Sequence, residues 1–213
     1  MDTSTHISEE EKDILQEIMN IAFGKAAADL AEVINIFVVL SVPDIRIIKA
    51  VDLPDYIRTE FSEFSNISIV EQNFWGGFRG NALLVFKADA GKELIALLGD
   101  SGDDLTHESE FGDILENETL IEVGNILIGA CVGKVAELLQ DVVTYSPPRI
   151  IFEDHSSVSM PKALFDPSNS AIILKTVFSF NERNVNGFLF LITSDNSVVW
   201  LKKALADFME QYE

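Results

Sequence analysis

Two short segments of the chain carry a carboxylate and a carboxamide one helical turn apart. Residues 15–24, LQEIMNIAFG, hold Glu17 and Asn20, and residues 120–129, LIEVGNILIG, hold Glu122 and Asn125. Both segments are otherwise nearly apolar. A carboxylate can grip a cation. A carboxamide cannot act as a general base at neutral pH, so its chemical use is to hold another molecule in a fixed orientation. One Glu-x-x-Asn is weak evidence, because short patterns usually mark a solvated helix face. Here the core Glu-x-x-Asn-Ile-x-x-Gly occurs twice, 105 residues apart.

Positioning such pairs requires helices. At about 100° per residue, Asp13, Glu17, Asn20 and Gly24 fall on one stripe roughly 60° wide. Ile14, Leu15, Ile18, Ala22 and Ala26 point the other way, toward a core. In the second segment Glu118, Glu122, Asn125 and Gly129 share the stripe, while Thr119, Leu120, Val123, Leu127 and Cys131 face inward. The stripe continues with small residues: Ala27, Ala28 and Ala31 in the first copy, Val132, Gly133 and Ala136 in the second. A merely solvated face has no reason to be so small and uncharged. Either the two helices pack on each other there, or a partner protein docks there.

The likeness extends beyond the helices. Shifted by 105 residues, Ala31, Glu32, Ser41, Pro43 and Ile45 fall on Ala136, Glu137, Ser146, Pro148 and Ile150. Residues 66–74 and 78–87 predict two strands around WGG, and 172–180 and 184–193 two more around NERN. A short helix is expected after each hairpin, near 90–98 and 196–211. Each half is therefore helix, strand, hairpin, helix. The acidic stretch 99–112 reads as a linker between half-repeats at about 8–98 and 113–213. Ser8 and Glu11 predict a capping box at the first helix. Two long amphipathic helices can cover one face of an antiparallel sheet. The expectation is one α+β domain over 1–213 with an internal pseudo-two-fold repeat.

Composition narrows the partners. The net charge of −20 would repel nucleic-acid backbones and anionic lipid, so no nucleic-acid partner is expected. The polar, acidic start MDTSTHISEEE has the pattern of neither a secretory signal nor a basic transit peptide. No run of about 18 apolar residues occurs, so no membrane insertion is expected. Cys131, the one cysteine, rules out an intrachain disulfide and fits a cytoplasmic location.

These residues resemble a known family. Asp/Ser-x3-Glu-x2-Asn-x22-Pro is the signature of the CheC/CheX/FliY phosphatases of bacterial chemotaxis. Asp13, Glu17, Asn20 and Pro43 match it in full, and Glu122, Asn125 and Pro148 match it a second time. EVGNILIG resembles the family's EIGNI-x-x-G. Two motifs in a chain of this length resemble CheC best. Glu118 stands where the family usually has Asp or Ser, Met19 where it often has Gly, and Phe23 is bulkier than usual.

The resemblance implies a substrate: the phosphoaspartate of a CheY-like response regulator in chemotaxis or other two-component signalling. The regulator itself supplies a divalent metal, Mg2+, and a lysine beside the acyl phosphate, so no cofactor of the chain's own is expected. Asn20 and Asn125 would hold a water in line with phosphorus, and Glu17 and Glu122 would pair with the regulator's lysine. Pro43 and Pro148 would shape the strand entry. CheD is a possible further partner. The alternative is a non-catalytic adaptor of the same fold that docks a regulator, CheD or the flagellar switch.

Other candidate sites are weaker. His6, His107 and His155 lie in polar segments without metal-ligand spacing. Asp100, Asp103 and Asp104 lack the order of an EF-hand loop. FWGGFRGN lacks the GK[ST] of a phosphate loop and suits a hairpin turn. No metal site is expected.

Overall fold

The first helix, α1 (Glu9–Ile34), begins at its sequence-encoded cap. Ser8 Oγ accepts from the Glu11 N–H at 3.1 Å, and the Ser8 N–H donates to Glu11 Oε2 at 2.7 Å. Two otherwise orphaned backbone donors are thereby satisfied. Glu11 also meets Lys202 Nζ at 3.2 Å, which ties the start of α1 to the last helix. Burial pushes the Glu11 carboxyl up, but the Ser8 N–H and the Lys202 ammonium outweigh it and hold the group below its ordinary 4.5. A carboxyl depressed by folding stabilises the native state above its unfolded value and loses that contribution as pH falls through its folded value. Glu11→Gln is therefore expected to be less stable than the parent at pH 7. The gap should close on acidification below about pH 4.5 in paired urea melts.

The computed structural model describes residues 7–34, 37–61, 67–87, 90–97, 110–153, 170–180 and 185–210. After α1 come β1 (Val38–Leu40), β2 (Asp44–Lys49), a 3-10 turn at Ala50–Asp52, α2 (Leu53–Phe61), β3 (Ile67–Trp75), β4 (Gly80–Lys87) and α3 (Ala90–Leu97). The rest is α4 (Glu110–Leu138), β5 (Thr144–Tyr145), β6 (Arg149–Glu153), β7 (Ser170–Phe180), β8 (Asn186–Ser194) and α5 (Asp195–Glu210). Helix α2 has no counterpart in the expected elements. Helix α4 starts at Glu110, inside the predicted linker 99–112, so that residues 110–112 of that linker are helical. The rest of that linker, the NERN turn, the three histidines and the acidic run at 100–104 lie outside the described residues.

The eight strands among the described residues form one antiparallel sheet in the order β1-β7-β8-β4-β3-β5, with β2 also on β7 and β6 also on β3. The order reads the same from either edge when β1–β4 exchange with β5–β8. At its centre Leu84 of β4 faces Leu189 of β8. Alternation along each strand divides the buried residues between two faces. One face, with Val70, Phe74, Leu84, Phe178 and Leu189, packs under α1, α3, α4 and α5. The other, with Ile69, Val85, Ile173, Phe190 and Ile192, gathers around Leu53 and Tyr56 of α2. The two long helices lie against each other, and Lys134 Nζ bridges to Asp29 at 2.9 Å. Gly124 lets α4 sit close to the sheet, because a Cβ there would come within 2.8 Å of Val70 Cγ1.

Helix α4 is long and apolar enough to cross a membrane by length and composition, although no such segment was expected. In this fold more than half of it is buried against the sheet and its neighbours.

Candidate functional site

The stripe on α1 stands open to solvent. Asp13, Glu17, Asn20 and Gly24 are all exposed, while Leu15, Ile18, Ala22 and Ala26 behind them are fully buried. On α4, Glu118, Glu122 and Asn125 are exposed and Gly129 is half-buried. Helical period alone sets these directions, so residues three and four apart share a face. Met19 and Phe23, the two bulky departures in the first copy, turn into the core at 0% and 2% exposure. Neither stands beside the exposed pair.

The strand after each long helix is tied in position. Gln16 Nε2 donates to the Pro43 carbonyl at 2.7 Å, which fixes the corner between β1 and β2 to α1 one residue before Glu17. Pro43 is buried and Pro148 half-buried, so both serve as structural corners. Ser41 Oγ accepts from the Val177 N–H at 2.9 Å, and Ser146 Oγ from the Asn73 N–H at 3.0 Å. Near the second helix, the Tyr145 hydroxyl donates weakly to the Gly129 carbonyl at 3.4 Å. Burial, and then the neighbouring Cys131, push that phenol up to about 12, so it stays a donor at neutral pH. Cys131 is itself a core residue whose thiol is pushed up by burial.

Gly24 and Gly129 lie one turn beyond the two asparagines. A Cβ built on either would meet nothing within 4 Å. Internal packing therefore does not require glycine at these points. Glycine costs about 1 kcal/mol relative to alanine in a helix interior. The small-residue stripe fares differently farther along. Val132 and Ala136 are buried, at 0% and 2% exposure, and do not belong to a docking surface. Ala27, Ala31 and Gly133 are half-buried, and Ala28 is exposed. The Asp29–Lys134 bridge places this part of both helices in mutual contact. The sequence left packing and docking as alternatives, and along this stretch helix packing takes most of the stripe.

Sequence reasoning missed Gln72, which is 2% exposed on β3. Its Nε2 donates to Asn125 Oδ1 and to the Ser146 carbonyl, each at 2.9 Å. The signal was the polar run Glu71-Gln72-Asn73 inside an apolar strand. Glu71 and Asn73 serve the opposite face, where Asn81 Nδ2 donates to both at 2.7 and 3.0 Å, and Arg149 Nε meets Glu71 at 2.5 Å. Among the described residues no cluster of His, Cys, Asp and Glu has the shape of a metal site.

Comparison with known proteins finds similarity in sequence and in fold. A sequence model of the CheC-like family matches residues 10–47, which span the whole first motif from Asp13 to Pro43. The flagellar motor switch phosphatase FliY of Bacillus subtilis (strain 168) is 28% identical over 145 residues, covering 68% of this chain and 36% of FliY. This chain thus matches only about a third of that relative's length. The CheY-P phosphatase CheC of the same organism is 25% identical over 153 residues, 71% of either chain.

Among solved structures, FliY of Thermotoga maritima superposes with a TM-score of 0.68 at 20% identity, covering 95% of this chain and 98% of that one. The CheX–CheY–BeF3–Mg complex of Borrelia burgdorferi gives a TM-score of 0.50 at 19% identity, over 81% of this chain and 96% of the other. A FliG–FliM complex from H. pylori gives 0.56 at 14% identity, over 91% and 99%. At these identities the superpositions establish a shared α+β fold. Family motif, curated relatives and fold converge, and the chain is similar to the CheC-like family, the CheC/CheX/FliY group.

Proposed function

We propose that this protein hydrolyses the phosphoaspartate of a CheY-like response regulator. The observation that carries the reading is the pair of exposed Glu-x2-Asn motifs, each followed one turn later by a glycine with open space around it. Phosphoryl transfer needs positioning and electrostatics more than covalent help. A carboxamide inserted beside the acyl phosphate contributes orientation, and Asn20 and Asn125 fill that role. Glu17 and Glu122, one turn earlier, pair with the regulator's lysine and fix the approach. Asp13 and Glu118 stand one turn before them on the same exposed face. The metal, Mg2+, belongs to the regulator's own site, and this chain brings no cofactor. A cytoplasmic location follows from that partner.

We also read the chain as one domain built from two related halves, with a motif in each. The sheet order and the pairing of Leu84 with Leu189 support that reading.

The second reading is a non-catalytic adaptor that docks a regulator, CheD or the flagellar switch. The fold shared with the FliM middle domain and with a chain of the FliG–FliM complex favours keeping it in view. One experiment separates the two. A phosphorylated CheY-like regulator is mixed with substoichiometric protein, and loss of its acyl phosphate is followed. Catalytic acceleration supports the enzyme; binding with an unchanged decay rate supports the adaptor.

A further inference from the structure

The two motifs differ in what lies beneath the asparagine. Ser41 and Ser146 make matching bonds, with their N–H groups donating to the Val177 and Asn73 carbonyls at 2.9 and 3.0 Å. One residue earlier on each partner strand the match ends. Thr176 Oγ1 donates to the Ser41 carbonyl at 2.5 Å. Gln72 Nε2 donates to the Ser146 carbonyl at 2.9 Å, and its greater length lets it reach Asn125 Oδ1 as well, also at 2.9 Å.

The orientation of both amides follows from this chain of bonds. A backbone carbonyl can only accept, so Gln72 must turn its NH2 group toward Ser146. Its second N–H then meets Asn125, which must offer oxygen. The Asn125 NH2 group is left facing away from Gln72, on an exposed residue. Gln72 Oε1 is buried without a partner among the described residues. An unpaired buried acceptor destabilises a fold, a cost that the threonine at the matching place, Thr176, does not carry while still bonding its carbonyl.

We propose that Gln72 is a positioning residue that locks the Asn125 carboxamide with its N–H donors outward. The second motif then meets an incoming phosphoryl group with its amide already ordered. Asn20 has no such tether among the described residues. A group held in its working rotamer needs no ordering when the reacting atoms meet. The second motif therefore carries the larger share of turnover. This kinetic consequence rests on the phosphatase reading above; the tether itself does not.

The test copies the first motif into the second. In Gln72→Thr the hydroxyl keeps the bond to the Ser146 carbonyl, as Thr176 does for Ser41, but cannot span to Asn125. In an Asn20→Ala background, Gln72→Thr is expected to lower kcat about threefold to tenfold with KM unchanged, the scale of ordering one side chain. Added to Asn125→Ala, it should cause no further loss. Equal losses in both backgrounds would mean that Gln72 only supports the fold, and would overturn the proposal. A second readout needs no turnover. The two side-chain N–H protons of Asn125 are expected as one ordered pair of signals on a common 15N that shifts and averages in Gln72→Thr. An unchanged pair would overturn the tether. A wild-type protein without phosphatase activity would remove the enzymatic reading, and the amide signal would still decide the tether.

Discussion

Replacing Asn20 and Asn125 together by alanine is expected to lower phosphatase turnover by about a hundredfold or more, with binding of the regulator retained. The size follows from what a positioned amide contributes: losing one well-placed orienting group costs on the order of 10²-fold. Binding persists because Glu17 and Glu122 and the exposed helix faces are untouched. Each single variant keeps one complete motif and should keep measurable activity. Both asparagines are exposed, so neither truncation opens a core cavity; Asn20→Ala should melt close to the parent, whereas Asn125→Ala leaves one buried Gln72 N–H without its acceptor and should cost about 1–3 kcal/mol. The check is the decay of labelled phosphoregulator alongside calorimetric binding to a regulator trapped with a phosphate mimic. Near-normal turnover in the double variant would remove the asparagines from the mechanism. Loss of binding together with turnover would make them docking residues instead.

Gly24→Lys combined with Gly129→Lys is expected to reduce turnover more than tenfold while leaving the fold as stable as the parent or more so. Open space surrounds both positions within this chain, so a side chain can be added without a clash. Lysine is a far better helix former than glycine, and the two changes should add about 1–2 kcal/mol to unfolding if they act independently. Added positive charge on a chain of net −20 also does not threaten solubility. The loss of activity comes from the partner: a long side chain one turn from the asparagine keeps a second protein from closing on it. Alanine at the same positions should give a smaller loss and a similar gain in stability. Rising stability with falling activity is the signature of a residue kept small for an intermolecular contact. Lysine variants with full turnover would show that nothing approaches these glycines closely.

The helical stripe was legible because helical periodicity is local. Asp13, Glu17, Asn20 and Gly24 face outward, and Leu15, Ile18, Ala22 and Ala26 face inward, as a repeat of 3.6 residues requires. The strands were legible to within a few residues for the same reason, since alternation and the WGG turn are properties of short windows. The continuation of the stripe misled for a physical reason. Val132 lies on the same helical line as Asn125, yet it is fully buried. The wheel gives a direction, whereas burial depends on what lies in that direction. Toward its end α4 is met by α1, and the line that faces solvent at Asn125 faces a neighbour at Val132.

Helix α2 and the core beneath it escaped notice for a related reason. Nine residues are too few to hold a helix alone, however amphipathic, and this one is held by Ile69 and by Ile173 and Phe190, which lie more than 100 residues away. Buried Gln72 was out of reach in the same way. It meets Asn125 only because α4 lies on β3, with 53 residues between them. The amino-acid order alone determined which side chains each helix turns outward, where α1 is capped and that the acid–amide pair occurs twice. Tertiary structure alone decided how much of each stripe stays open, and that one of the two amides is tethered from below. The first set depends on bonds spanning one turn or one strand pair. The second depends on surfaces that meet only after the sheet has assembled.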